Sequence, residues 1–557
     1  MTPIVRLTCA LLFLFASRAQ AQVQWTQTFG GAIDGHAGRG LALAVAADGS
    51  TYATGGFYGT INAGGNSLTA NSTGSDVFVV KMNSSGEVLW AKSFGGTAFM
   101  YDVDFGRHVA VDPMHDQVVV GGEIHTSFTV DTIIFDGSTT SVSGNVFLAG
   151  FDDFGSMQWG RSISCESGFA SLLDMHVSIT GVTYGFGYAS CQTQAPGAVP
   201  QSIGPGGFIV KYDSNGELIG AETPAQQGAG ISAVAWLSAN EWLMAGEAIG
   251  PQATIYGQPI NPPSGQNYIG YLARTDTLGA VQWSKLLPSS TGSTCYAVAH
   301  DPSGLSYLLG NYVTDVVLDG DTLYPASGTY GYFLAALDDQ GSFQWVVPFS
   351  GSQSSDRRIG LAPDGSVYVS GNQLNDTLWI GSTPYPPLSE LDHYIAHIGT
   401  QGQLLGLLRS PSSASTFSSV LPTADAVYLS FAFDTTLQFV DTTVVNPGGS
   451  NYSFLVAKLG ELNWTTSIRS MESTTGELHI YANPNNGLCT IDLPEELRLT
   501  DDLMLSVFDN TGQLVQRVPL RYNEQGVRLD IRAQARGIYH VELGDGQQRH
   551  TGTIVFE

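Results

Sequence analysis

Apolar residues in this chain fall in short runs that end in Gly, Asp, Asn or Pro, and no long stretch shows helical spacing. Leu41-Ala-Leu-Ala-Val-Ala46 reads as a strand, Ala47-Asp48-Gly49 as a tight turn, and Thr51-Tyr-Ala-Thr-Gly-Gly56 as the returning strand. The turn chemistry fits, because Asp caps the turn's amides and Gly accepts positive φ. A polar, Gly-rich stretch comes next, then Asp76-Val-Phe-Val-Val-Lys81 and a strand carrying Trp90.

This order recurs. The clearest repeated phrase is a turn, then Gly, then Trp: Asn83-Ser-Ser-Gly86-Glu-Val-Leu-Trp90, Asp152-Asp-Phe-Gly155-Ser-Met-Gln-Trp159, Asp276-Thr-Leu-Gly279-Ala-Val-Gln-Trp283 and Asp338-Asp-Gln-Gly341-Ser-Phe-Gln-Trp345. Two copies, around Gly216 and Gly402, lack the Trp. Seven steps of about 63 residues cover the ladder from Trp25 to Trp464, which marks a repeat array. Four strands per step without helices predict an all-β fold, a seven-bladed β-propeller in which Trp and Phe pack between neighbouring sheets. The Gly-Gly after the second strand predicts a close backbone approach near the hub. One strand is in excess, so either Val23–Phe29 or Glu461–Ile468 closes the ring, the first being favoured.

These phrases, above all Asp76–Lys81 through Trp90-Ala-Lys-Ser-Phe-Gly-Gly96, resemble the SBBP-type seven-bladed propeller repeats of exported bacterial proteins. The resemblance covers roughly residues 23–465 and implies an architecture without catalytic residues.

After a Ser/Thr-rich link at 465–475 the pattern changes. Short strands with intervening turns over residues 476–557 predict a small Ig-like β-sandwich. Asn483-Pro484, Gly487, Asp509 with Gly512, Gly537 and Tyr539 occur there in the order of the type IX secretion C-terminal sorting domain of the Bacteroidota, which this tail resembles. Two departures stand out: Ala482 precedes Asn-Pro where the family has Pro, and the chain ends Phe556-Glu557 without basic residues. The resemblance implies type IX machinery as a partner and release or attachment at the cell surface.

The N-terminus agrees with export. Arg6, the apolar run Leu7–Ala16 and Ala19-Gln20-Ala21 read as a signal peptide over 1–21, giving a domain order of 1–21, 22–464, 465–475 and 476–557. No later stretch is long enough for a membrane-spanning helix. Loss of Arg6 and Arg18 takes the net charge from −27 to −29. Such acidity excludes nucleic acid as a partner, since phosphates need Lys and Arg. Cys165 and Cys191 fall at neighbouring strand ends and are candidates for a disulfide in an oxidising compartment.

No catalytic or cofactor motif stands in a suitable context. Asp213-Ser-Asn-Gly216 lacks the later Glu of a calcium loop, and His393 and His397 lie too far apart along one strand to share a metal. Candidate binding residues are those of the loops that lead into first strands and break the repeat: Asp34, His36 and Arg39; Tyr101, Asp102, Asp104, Arg107 and His108; and Asp356, Arg357 and Arg358. Two functions follow: a non-enzymatic binding module for a glycan or protein ligand, or a polysaccharide hydrolase or lyase using rim carboxylates.

Overall fold

The computed structural model describes residues 23–33, 42–71, 73–97, 104–137, 144–262, 268–326, 330–353, 359–412, 418–433, 436–439, 442–446, 452–460, 476–493, 504–509, 514–520, 526–544 and 549–557. It is all-β, in two compact units divided after Thr465. No helix among the described residues is long and apolar enough to cross a membrane.

The first unit is built of antiparallel sheets laid down in chain order, in several of which four strands are extended by short added ones. Phe105–Asp112, Gln117–Ile124, Asn145–Asp152 and Met157–Ile163 form one, and Ala170–Val177, Thr183–Ala189, Gly206–Tyr212 and Leu218–Gln226 the next. The first strands are Ala42–Val45, Phe105–Asp112, Ala170–Val177, Ala229–Ser238, Gly292–His300, Ile359–Leu361 and Ser418–Pro422. Each touches the next, and the last touches the first, so these strands form a closed ring.

The ring is sealed by Val23–Ile33, which pairs antiparallel with Tyr452–Leu459, Trp25 standing opposite Lys458 and Phe29 opposite Phe454. At Gly30 and Gly31 it crosses to Thr51–Ala63 and pairs with Asn62 and Ile61. The sheet edges that an open array would leave bare are therefore hydrogen-bonded.

The repeated Trp joins one sheet to the following one. Trp25 Nε1 donates to Ser84 O at 3.0 Å, Trp90 to Asp153 O at 2.9 Å, Trp283 to Asp339 O at 3.1 Å and Trp345 to Thr400 O at 2.9 Å. Every acceptor is the second residue of the turn that opens the next copy of the phrase. The turn's Gly lies against the same indole: a Cβ on Gly402, whose φ is +78°, would fall 2.9 Å from Trp345 Cδ2. The turn's first residue holds its shape, as when Asp338 Oδ1 accepts the Gln340 and Ser342 amides at 2.9 Å each. Asp213 Oδ1 accepts from Asn215 and Glu217 in the same way, so this segment is a capped turn.

The long polar stretches after the second strands are more ordered than their composition suggests. Phe128–Val130 and Ile133–Phe135 make a small hairpin that buries Phe135, and Leu378–Ile380 adds to the outer strand of the preceding sheet. Several apolar side chains anchor each piece: Phe128, Val130 and Ile133 pack with Phe135, and Leu378 and Ile380 are both buried. Cys165 and Cys191 form a disulfide with Cα atoms 6.0 Å apart.

In the second unit, a five-stranded and a three-stranded sheet share one core that includes Ile491, Leu529 and Val527 from one sheet and Leu505, Val541 and Ile554 from the other.

Candidate functional site

Four consecutive first strands share an irregularity that positions their side chains. The register slips between Gly106 and His108, Leu172 and Asp174, Ile231 and Ala233, and Cys295 and Ala297. Each slip is a β-bulge at which the register skips one residue: Arg107, Leu173, Ser232 and Tyr296. A bulge re-aims the side chain of its extra residue: Arg107 reaches the neighbouring first strand at Ser171 and Leu172, and the Tyr296 ring lies 6.4 Å from that of Tyr332. All four are half-buried, while the residues flanking Arg107, Ser232 and Tyr296 on both sides are buried.

The Gly predicted to allow close approach lies opposite each bulge. A Cβ on Gly122 would fall 2.1 Å from Phe105 O, on Gly187 2.3 Å from Ser171 O, and on Gly246 1.9 Å from Gly230 O. The bulge presses a carbonyl onto the second strand, and only Gly leaves room for it. The recurrent Gly was therefore the sequence signal for the bulges, although the side chain each one presents is free to vary.

Of the candidate rim residues, Asp104, Arg107 and His108 are described. Asp34, His36, Arg39, Tyr101, Asp102, Asp356, Arg357 and Arg358 lie outside the described residues. Asp104 is buried instead of facing a rim: its carboxylate accepts the Gly96 and His125 amides at 2.8 Å each, which makes it the anchor of its loop. Arg107 reaches across to the next sheet, donating to Leu172 O at 2.9 Å and Ser171 Oγ at 3.2 Å and pairing with Glu123 Oε1 at 3.3 Å. Ser171 donates to that same Glu123 oxygen.

His108 belongs to a hub cluster that the sequence did not reveal, with Asp174 and His176 of the neighbouring first strand. Asp174 Oδ2 accepts the Val234 amide at 2.9 Å, and His176 Nε2 donates to Val234 O at 2.9 Å and stands 3.2 Å from Asp174 Oδ2. The pair thus grips the backbone of a third sheet. Burial pushes the Asp174 carboxyl up, but the charge and hydrogen bond of His176, the charge of His108 and the Val234 amide outweigh it and hold the pKa well below the usual carboxylate range. With Val234 these residues come from three consecutive repeats, and the stacking of neighbouring sheets brings them together.

His393 and His397 have separate partners. His393 Nδ1 meets Asn372 Oδ1 at 2.6 Å, while His397 Nε2 meets Ser366 Oγ at 2.7 Å and its ring stacks on Tyr368 at 4.1 Å. Among the described residues, no group of three or more His, Cys, Asp or Glu is placed to hold a metal ion.

In the second unit, Asn483 clamps the final strand, Arg549–Phe556. Its Oδ1 accepts the Val555 amide at 2.7 Å and its Nδ2 donates to Thr553 O at 2.6 Å. Past Pro484, Asn485 continues the grip through Asn485 N to Val555 O and Glu557 N to Asn485 O, each 2.9 Å. Gly487, at φ +89°, donates to Asn485 Oδ1 at 2.7 Å. Gly537 opens the strand Gly537–Gly544, and Tyr539 donates its hydroxyl to Ala535 O. Asp509 follows the strand Met504–Phe508, and Gly512 lies outside the described residues. The motif residues thus bind the terminal strand to the unit and shape the turns that lead into it.

Residues 479–557 match the family of secretion system C-terminal sorting domains. The chain accordingly carries a type IX sorting domain and is secreted or delivered to the outer surface. None of the curated proteins matches the chain. Among solved structures, it is similar to the phage phi92 endosialidase (10% identity, 96% of this chain and 87% of that one, TM-score 0.34). It is also similar to the extracellular domain of a hybrid two-component system from B. thetaiotaomicron (10%, 95% and 99%, TM-score 0.14) and to a Synechocystis apocarotenoid oxygenase (11%, 92% and 97%, TM-score 0.26). At these TM-scores the likenesses carry no argument about fold or chemistry.

Proposed function

We propose that this chain is an exported bacterial binding protein without catalytic activity. Residues 1–21 are a cleaved signal peptide, 22–464 a seven-bladed β-propeller of SBBP-type repeats, and 476–557 an Ig-like sandwich read by the type IX machinery of the Bacteroidota. The closed ring of first strands and the Trp-to-turn contacts support the propeller. The sorting-domain match supports the delivery, and the Cys165–Cys191 disulfide suits an oxidising compartment.

One observation carries the choice of binding over catalysis. Equivalent backbone positions around the hub present Arg107, Leu173, Ser232 and Tyr296, a changing set on a constant frame. Among the described residues, the carboxylates beside them are committed, Glu123 to Arg107 and Ser171, and Asp174 to His176 and Val234. A hydrolase or lyase needs an acid and a base poised over a substrate, whereas recognition needs only varied side chains on a rigid scaffold. In a host with type IX secretion, the chain should reach the cell surface or medium, and one ending at residue 475 should stay in the periplasm. Purified protein should leave polysaccharides intact. Reducing ends or unsaturated products above background, or surface delivery of the shortened chain, would overturn the proposal.

A further inference from the structure

We infer that the seam between the second and third sheets of the first unit is a redox-sensitive latch, closed by the Cys165–Cys191 disulfide where four other seams rely on an indole hydrogen bond. The latch belongs to the scaffold and stands independently of what the protein binds.

Trp25, Trp90, Trp283 and Trp345 each donate an indole N–H to the turn of the following sheet. Trp159 does not. Its ring still covers the turn Gly of the third sheet, Gly216, but its Nε1 is buried without a hydrogen-bond partner among the described residues. The cause lies in the residue opposite. Lys458, Lys81, Arg274 and Ala336 stand across the ladder from the four bonded Trp, whereas Trp159 faces Gly150. A Cβ on Gly150 would fall 2.2 Å from Trp159 Nε1, so the indole nitrogen occupies the room that a side chain would take. A buried N–H without an acceptor costs stability where its counterparts contribute it.

The disulfide crosses this same seam. Cys165 follows the outer strand Met157–Ile163, which carries Trp159, and Cys191 follows Thr183–Ala189, the second strand of the third sheet. Arg107 joins the two first strands at the hub in either redox state, so the disulfide governs the outer part of the seam. There the Arg161–Glu217 pair, at 3.2 Å and open to water, holds weakly. Cys165 is fully buried and Cys191 half-buried, which makes Cys191 the sulfur open to exchange. On closure the Cys191 thiolate attacks the disulfide of an external dithiol oxidant and forms a mixed disulfide. The Cys165 thiolate then attacks Cys191 Sγ and releases the oxidant as a dithiol, to which two protons and two electrons have passed. The seam is loose while the chain is reduced and locks in an oxidising compartment.

The test compares hydrogen exchange of the full secreted chain with and without tris(2-carboxyethyl)phosphine, beside the Cys165→Ser, Cys191→Ser double variant. Phe343–Ser350 and Val367–Leu374, the strands at the Trp345 seam, serve as the reference. Reduction should speed exchange across Met157–Ile163 and Thr183–Ala189 by about tenfold or more beyond any change in the reference strands. The double variant should match the reduced parent and ignore the reductant. An equal change at both seams would make the disulfide a whole-chain staple and overturn the latch, as would no change at either. Free thiols at Cys165 and Cys191 in chain recovered from the medium, found by maleimide labelling after denaturation, would overturn it as well.

Discussion

At the residue scale, Trp345 contributes through two contacts that one substitution cannot imitate: the indole covers Gly402, and its N–H caps the turn at Thr400 O. Trp345→Phe should keep most of the packing and cost about 1 kcal/mol for the lost hydrogen bond to Thr400 O. Trp345→Ala should cost about 2–4 kcal/mol, because burial is lost as well. Gly402→Ala should be penalised twice, by positive φ and by the indole, for about 1–3 kcal/mol. Urea unfolding followed by Trp fluorescence ranks the three. Acid stability also belongs to this scale. Burial pushes the pKa of both His300 and His397 down, so the unfolded chain takes up protons at a pH where the folded chain does not. The stabilisation is complete above the unfolded value near 6.5 and should decline as pH falls below it. A pH series of melting temperatures should show the drop, and His397→Gln should make it shallower. A curve unchanged by that variant would exclude His397 as a source.

At the scale of elements, strands were legible and their irregularities were not. Asp338–Gly341 announces a capped turn because its residue types have a single efficient use, and the structure places Asp, amides and Gly as expected. The hairpin Phe128–Val130 to Ile133–Phe135 was hidden, since its polar, Gly-containing surroundings leave Phe135 as its main anchor. The recurrent Gly signalled a close approach at the bulges, but which residue each bulge presents was not legible, because that residue looks like any other strand residue until the register is counted. Asp104 misled for a related reason: a carboxylate in a loop suggests solvent, but this one replaces water with two backbone amides. The disulfide is also an element-scale constraint. It ties the end of an outer strand, Met157–Ile163, to the end of a second strand, Thr183–Ala189, of the next sheet. Cys165→Ser with Cys191→Ser should lower stability by about 3 kcal/mol, and reductant should lower the melting temperature of the parent but not of the double variant.

At the scale of the whole molecule, the two units divide their labour. The hub cluster of His108, Asp174 and His176 exists only when separate sheets are assembled, which is why no local motif announced it. In the tail the sequence motif and the geometry coincide, because Asn483 and Gly487 act over a few residues and one strand. Asn483→Ala should therefore speed hydrogen exchange at the Val555 amide, consistent with loss of about 1–2 kcal/mol of local protection. Exchange within the first unit should stay the same, and a change there would contradict the division into two compact units.

The closing strand bears on how the chain is made. Val23–Ile33 is among the first segments out of the ribosome, yet its partner Tyr452–Leu459 emerges more than four hundred residues later. Until then two raw strand edges remain, each a template for aggregation or protease attack. A chain that stops early can never pair them. Ring closure thus acts as a length check, and it gives an unfinished product a fate distinct from that of a finished one without any dedicated sensor.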